Sequence, residues 1–326
     1  MDKPKNRKLR VAAVQMNCVP GEVDANLKRA EEMVLEAVEQ GAELVLLPEL
    51  MPSGYFATEE IWDFAETIQG KSVTWLQSLA KQHCIYLGFS FMEAEGEDFY
   101  NSFVLASPKG ELDGRVRKNP PASIEAHFYK GGDDLHVIET EVGRFGVSIC
   151  YENLLHDNIC ELASLSVDMV LSPFAAGRPK PFIPGDIRRY EDMLKNVHFL
   201  HAEMLGVPNV MANRIGPLET ELPGWLPYLK SSFPGLSAIT DSDGTVKAEL
   251  EEQEATIIAD VVLDPARKKS GKPPLYGKMW ALPVPWYAFL WPVTQKPGEK
   301  EYPKNSRRKQ KAAAISRGLE NDSPVY

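Results

Sequence analysis

The chain has little of what builds covalent or metal frameworks. Its four cysteines, at 18, 84, 150 and 160 of 326 residues, show no C-x-x-C spacing. A disulfide scaffold and a thiolate metal site are therefore not expected, and the thiols read as free in a reducing compartment. Long apolar runs are also missing. Val11 to Val14, after a basic start, is too short for a signal-peptide core and is followed by no small-residue cleavage site. Met279 to Val293 carries Trp280, Trp286 and Trp291 but is broken by Pro283, Pro285 and Pro292, whereas a membrane-spanning helix needs about twenty apolar residues. A cytoplasmic protein without an integral membrane segment is expected. An excess of positive charge is lacking as well: 36 basic against 46 acidic residues leave a net charge of -10. Nucleic acid and anionic membrane are thereby disfavoured as main partners, and a small molecule is expected instead. Of the six histidines, His198 and His201 stand three apart on one helix face without a third ligand, so no metal site is expected.

What is present is an alternation of short buried strands and helices. Leu9 to Met16 reads as a strand, and Asp24 as the cap of a helix with Leu27, Ala30, Val34, Ala37 and Val38 on its apolar face. Strands at Ala42 to Leu47 and Ile85 to Phe91 flank a helix at Val73 to Gln82. Ser107-Pro108-Lys109-Gly110 reads as a turn between Ser102 to Ala106 and Leu112 to Arg117, and Asp241-Ser242-Asp243-Gly244 as a second hairpin turn. Phe145 to Ile149, Val167 to Leu171, Pro208 to Ala212 and Ala255 to Val262 complete the strands, with helices at Glu152 to Leu165 and Asp186 to Leu205. The fold class is α/β. A single body over 1–263 is expected, followed by a segment 264–326 rich in proline and charge, basic from Lys304 to Lys311, lying on the body or on a partner subunit. The tryptophans of 280–291 are expected at a subunit interface.

Three short segments end in reactive side chains: Pro-Glu-Leu at Glu49, Arg-Lys-Asn at Lys118 and Ser-Ile-Cys-Tyr at Cys150. Glu49 and Cys150 follow buried strands, where ligands of open α/β sheets collect. A thiol with a pKa of about 8.5 needs a neighbouring base to become a nucleophile at neutral pH. Glu49 is the candidate, since burial raises a carboxylate toward that task. Attack on a carbonyl or nitrile carbon builds negative charge, which Lys118 and the backbone amide of Tyr151 are placed to stabilise. A helix starting at Glu152 would put Cys150 near its N-terminus and lower its pKa. Glu125, seven residues beyond Lys118, would steady the ammonium or orient water. Tyr55 and Phe174 are candidate pocket walls, Arg178 a candidate contact for an anionic group, and Glu152 a further candidate at the substrate. Each residue alone has a blander reading, as a packed thiol or a surface charge; their company favours chemistry.

Pro-Glu-Leu-Met-Pro-Ser-Gly-Tyr (48–55), Arg-Lys-Asn-Pro-Pro-Ala-Ser-Ile-Glu (117–125) and Gly-Val-Ser-Ile-Cys-Tyr-Glu (146–152) resemble, in order and spacing, the Glu, Lys and Cys boxes of the nitrilase superfamily of carbon–nitrogen hydrolases. The resemblance implies a four-layer αββα sandwich, usually as a homodimer or larger homo-oligomer. It also implies Glu49 as base, Lys118 at the oxyanion, Cys150 as nucleophile, Glu125 as a fourth acid, and no cofactor. Many members carry His-Leu where this chain has Asn119-Pro120, and the Cys-Tyr-Glu ending does not separate amidases from nitrilases. The function expected is a cysteine-dependent amidase cleaving a non-peptide amide or carbamoyl bond through a thioester. A nitrilase, an acyl transferase and a catalytically silent binding protein are the alternatives.

Overall fold

Residues 6–179, 184–224, 226–281 and 285–318 are described by a computed structural model, the side chains at 287 and 289 excepted. In strand β1 (Arg7–Gln15) Leu9, Val11 and Ala13 face one way and Ala12 and Val14 the other, following the two-residue repeat of a strand, and both faces are buried. Ala12 and Val14 pack beneath helices α1 (Val23–Glu39) and α2 (Lys71–His83), joined there by Leu27, Val34, Val73 and Leu76. Leu9, Val11 and Ala13 face a second sheet.

The first sheet is completed by β2 (Leu44–Leu46), β3 (Tyr86–Glu95), β4 (Asp98–Ala106) and β5 (Leu112–Arg117). The second contains β6 (Val137–Thr140), β7 (Gly143–Val147), β8 (Met169–Pro173) and β9 (Asn209–Ala212). A separate hairpin, β10 (Ile215–Thr220) and β11 (Leu229–Pro234), precedes β12 (Ala238–Thr240), β13 (Val246–Glu249) and β14 (Ala255–Leu263). The strand orders are β14-β1-β2-β3-β4-β5 and β13-β12-β9-β8-β7-β6. Each sheet has a parallel centre, β1-β2-β3 or β7-β8-β9, with antiparallel neighbours on both sides. Phe103, Val116, Phe145, Val147, Met169 and Leu171 fill the space between the sheets. Helices α3 (His156–Leu165) and α4 (Asp186–Leu205) cover the outer face of the second. This is the four-layer αββα sandwich the resemblance implied.

The structure departs from the sequence reading in several places. Asp24 does not cap α1; it lies within the first turn and pairs with Lys71 instead. The helix expected from Glu152 is two elements, a 3₁₀ turn over Cys150–Leu154 and then α3. The C-terminal segment is not a plain tail: it forms α5 (Trp291–Glu301) and α6 (Ser306–Ser316), and its side chains enter the body. The Tyr302 hydroxyl accepts from the Phe99 amide at 2.8 Å, and buried Arg308 pairs with Asp98. Two of the tryptophans expected at a subunit interface are used inside the chain. Trp280 donates to the Asn153 carbonyl at 2.9 Å and Trp291 stands edge-on to Tyr151. Pro283 and residues 1–5 and 319–326 lie outside the described residues. Among the described residues no helix is long and apolar enough to cross a membrane.

One buried charge cluster fixes the end of β5. Glu93, 1 % exposed, accepts from Arg117 Nε and Arg115 Nη1, both at 2.8 Å, and the Arg117 guanidinium lies 3.7 Å from the Tyr100 ring centroid. Breaking a buried pair leaves an uncompensated charge, which costs more than the pair itself contributes. Glu93→Ala is expected to lower the unfolding free energy by roughly 3 to 5 kcal/mol in urea titrations with an unchanged m value.

Candidate active site

Glu49, Lys118 and Cys150 each lie one to three residues beyond a strand end, on β2, β5 and β7 respectively. β5 runs in the direction of β2 and β3 because two antiparallel steps separate it from β3. The two sheets therefore deliver their loops to one edge of the sandwich, as open α/β sheets do with their ligand sites.

Lys118 is the centre of the cluster. Its Nζ donates to Glu49 Oε1 at 2.7 Å and to Glu125 Oε2 at 2.8 Å, with the Tyr129 hydroxyl at 3.5 Å. Glu49 is held on three sides: Oε1 also accepts from Asn101 Nδ2 at 2.7 Å, and Oε2 from the Ala175 amide at 2.7 Å. Glu125 accepts from the Ala122 amide at 2.8 Å, from the Tyr55 hydroxyl at 3.2 Å and from Tyr129. The loop bearing Asn119-Pro120, whose peptide bond is cis, thus brings Glu125 to Lys118 although its sequence departs from the family's usual one. Cys150 and Glu49 are near enough that the charge on Glu49 acts on the thiol.

Electrostatics set the resting protonation. Burial pushes the Glu49 carboxyl up, against the pull of Lys118. Burial opposes the charge on Lys118, yet the carboxylates of Glu125 and Glu49 outweigh it and hold the ammonium well above its ordinary range. Burial, then the Glu49 charge, push the Cys150 thiol well up. This overturns the expectation that a helix N-terminus lowers it: Cys150 opens a short 3₁₀ turn, with φ of 51°, and desolvation outweighs any dipole there.

Glu125, Cys150, Tyr151, Tyr55, Phe174 and Arg178 line one cavity of about 280 Å³, with Glu49 and Lys118 fully buried behind its wall. Two sequence expectations fail here. Arg178 is not available to an anionic group, because its guanidinium is engaged by Glu191 at 2.6 Å, by Ser232 at 2.9 Å and by Glu252. Glu152 does not face the cavity: it is fully buried, accepts from the Ile149 amide at 2.5 Å and the Asn119 amide at 2.6 Å, and meets His136 Nε2 at 2.9 Å. It joins the cysteine loop to the lysine loop. Asn101, Tyr129 and the Ala175 amide escaped the sequence reading. A polar Asn101 inside the apolar run of β4 was the available signal. Among the described residues no group of three or more His, Cys, Asp or Glu side chains is arranged to hold a metal.

The carbon-nitrogen hydrolase family matches residues 10–269 of the chain. A nitrilase of Pyrococcus abyssi (strain GE5 / Orsay) is 34% identical over 180 residues, 54% of this chain and 68% of that protein. An N-carbamoylputrescine amidase of Solanum lycopersicum is 30% identical over 277 residues, 81% of this chain and 90% of that protein. The crystal structure of a carbon-nitrogen hydrolase from Helicobacter pylori G27 shares the fold, with a TM-score of 0.70 at 21% identity, covering 80% of this chain and 91% of that one.

His136 carries a pH-dependent part of the stability. Burial presses its pKa down, but Glu152 at 2.9 Å and Glu161 at 2.8 Å raise it to about 9. A histidine whose folded pKa exceeds its unfolded value of about 6.5 stabilises fully below that value and ceases to do so as pH rises through the folded one. Unfolding free energy is expected to decline by on the order of 3 kcal/mol between pH 6 and pH 10. In His136→Gln this decline is expected to flatten, as denaturant midpoints across that range will register.

Proposed function

The chain belongs to the carbon-nitrogen hydrolase family, and on that premise we propose that it is a cysteine-dependent amidase that cleaves a non-peptide amide or carbamoyl bond through a thioester on Cys150. The observation that carries this reading is the single ammonium of Lys118 shared by Glu49 and Glu125, beside the cavity that Glu125 and Cys150 line together.

Glu49 takes the proton from the Cys150 thiol as sulfur bonds to the carbonyl carbon. The charge that moves onto the carbonyl oxygen is met by Lys118 and the Tyr151 backbone amide. The tetrahedral adduct collapses with loss of the amine, which receives the proton held by Glu49, and leaves the thioester. Water then gives a proton to Glu49 and its oxygen to the acyl carbon; the sulfur departs, recovers the proton, and the acid is released. Glu125 holds Lys118 and, as a lining residue of the cavity, is the group assigned to orient that water. The amidase relative that aligns over 277 residues supports an amide substrate. A nitrile would use the same residues, and the nitrilase relative supports that second reading; acid and ammonia from a nitrile, without turnover of the matching amide, would select it.

Free thiols at all four cysteines support a reducing, cytoplasmic setting. Exposed Trp286 and Val293 support self-association as a homodimer or larger homo-oligomer.

Cys150→Ala is expected to reduce amide hydrolysis by at least about 10⁴-fold and to abolish the acyl adduct in intact-mass spectra, while Lys118→Ala reduces turnover by about 10²- to 10³-fold. Unchanged turnover in Cys150→Ala refutes the reading. Asn101→Ala removes a donor to the Glu49 carboxylate, so its pKa rises and the acid limb of kcat/KM is expected to move to higher pH.

A further inference from the structure

One side of the Cys150 cavity is built by residues beyond the family match that ends at 269. Leu290 and Trp291, where a 3₁₀ turn over Trp286–Leu290 runs into α5, stand in its wall with Thr294 one turn further on. This wall is firmly seated. Gly298 of α5 lies so near the turn carrying Glu125 that a Cβ there would come within 2.6 Å of the Ala126 carbonyl carbon. Thr294 Oγ1 is 2.6 Å from Ser123 Oγ, and the Trp291 ring stands edge-on to Tyr151 with centroids 5.0 Å apart.

The opposite walls are apolar too, including Leu154, Met193, Leu218 and Leu222. Among the described lining residues only Glu125 and Arg178 are charged. Both are engaged, Glu125 by Lys118 and Arg178 by Glu191 and Glu252. A charged end of a substrate would lose its water here and find no counter-charge on offer among these residues. The cavity volume of about 280 Å³ is roughly twice that of an apolar cavity that takes up benzene, so a ring with a short chain fits.

We propose that the substrate carries an uncharged apolar group of about the size of an aromatic ring on a short chain, and that Leu290 and Trp291 form the wall that selects it. The inference rests on the hydrolase reading above and adds the substrate class. It assigns the C-terminal segment a part in specificity.

The test uses the full chain and kcat/KM for four primary amides: acetamide, hydrocinnamamide, γ-aminobutyramide and succinamate. Hydrocinnamamide is expected to exceed both charged amides by about 100-fold or more, the preference an apolar pocket without counter-charge imposes. Trp291→Ala is expected to lower the hydrocinnamamide-to-acetamide ratio about tenfold, a loss in the range that removing apolar contact produces. Leu290→Glu, at a half-exposed position where folding is retained, is expected to shift the ratio of γ-aminobutyramide to hydrocinnamamide about tenfold toward the cation. Turnover with a charged amide preferred, or ratios unmoved by both variants, overturns the inference and leaves the hydrolase reading standing. Absence of turnover of all four amides and of the corresponding nitriles, with no adduct on Cys150, overturns both.

Discussion

One ammonium between two carboxylates is the constraint on which the site depends. Lys118 is fully buried and touches Glu49 and Glu125 at 2.7 and 2.8 Å, so one amino group bridges two carboxyl groups in a buried setting. Burial opposes the charge on Lys118, and the carboxylates of Glu125 and Glu49 outweigh it. In the proposed reaction, moving a proton from the Cys150 thiol to Glu49 transfers negative charge from oxygen to sulfur and leaves the total unchanged. Burial pushes both groups up, the Cys150 thiol well up, so desolvation makes Glu49 a stronger base and the thiol a poorer acid.

Holding three loops from two sheets to such distances requires joints as well as walls. Glu152 is one joint, bonded at once to the cysteine loop through Ile149 and to the lysine loop through Asn119. Asn101 is another: its carbonyl accepts from the Lys118 amide at 2.8 Å while its side chain donates to Glu49. The backbone bears some of the cost. Leu50 after Glu49, Ser123 before Glu125, and Cys150 itself adopt left-handed conformations, with φ of 49°, 53° and 51°. Non-glycine residues there are uncommon and persist where surrounding contacts over-determine them. Three such residues, at Cys150 and within two positions of Glu49 and Glu125, indicate that the loops are aimed by the packed sheets beneath them.

The residues that could be read in advance were those whose chemistry is local. Val45, Leu46, Val147 and Leu171 announced buried strands because strands covered on both faces have no polar side to show. Glu49 and Cys150 stood at the ends of such runs. Glu152 was misread because its partners, Ile149, Asn119 and His136, come together only after two strands have paired. Arg178 was misread for the same reason, since Glu252 lies 74 positions away. Strands β6, β10 and β11 went unseen: they are short or half-exposed, and β11 reads Leu-Lys-Ser-Ser-Phe-Pro, without the apolar continuity of a buried strand. The dipole argument for Cys150 failed because it weighed a local effect and omitted desolvation, which is set by everything packed around the thiol.

On the proposed reading, the C-terminal segment separates chemistry from selectivity in this chain. Lys118, Glu49 and Cys150 are fixed by sheets that any sandwich of this kind must build, so little freedom exists to vary them. The cavity wall opposite is contributed by α5, whose seat is the Glu125 turn itself, through Gly298 against Ala126 and Thr294 against Ser123. A side chain on α5 can change what the cavity accepts without touching a strand. Because α5 presses on the turn that presents Glu125, a substrate that displaced the wall would also disturb the carboxylate holding Lys118. Fit at the wall and order at the charge cluster are thus mechanically linked, and a poorly fitting substrate would meet a less well-organised centre as well as a weaker pocket.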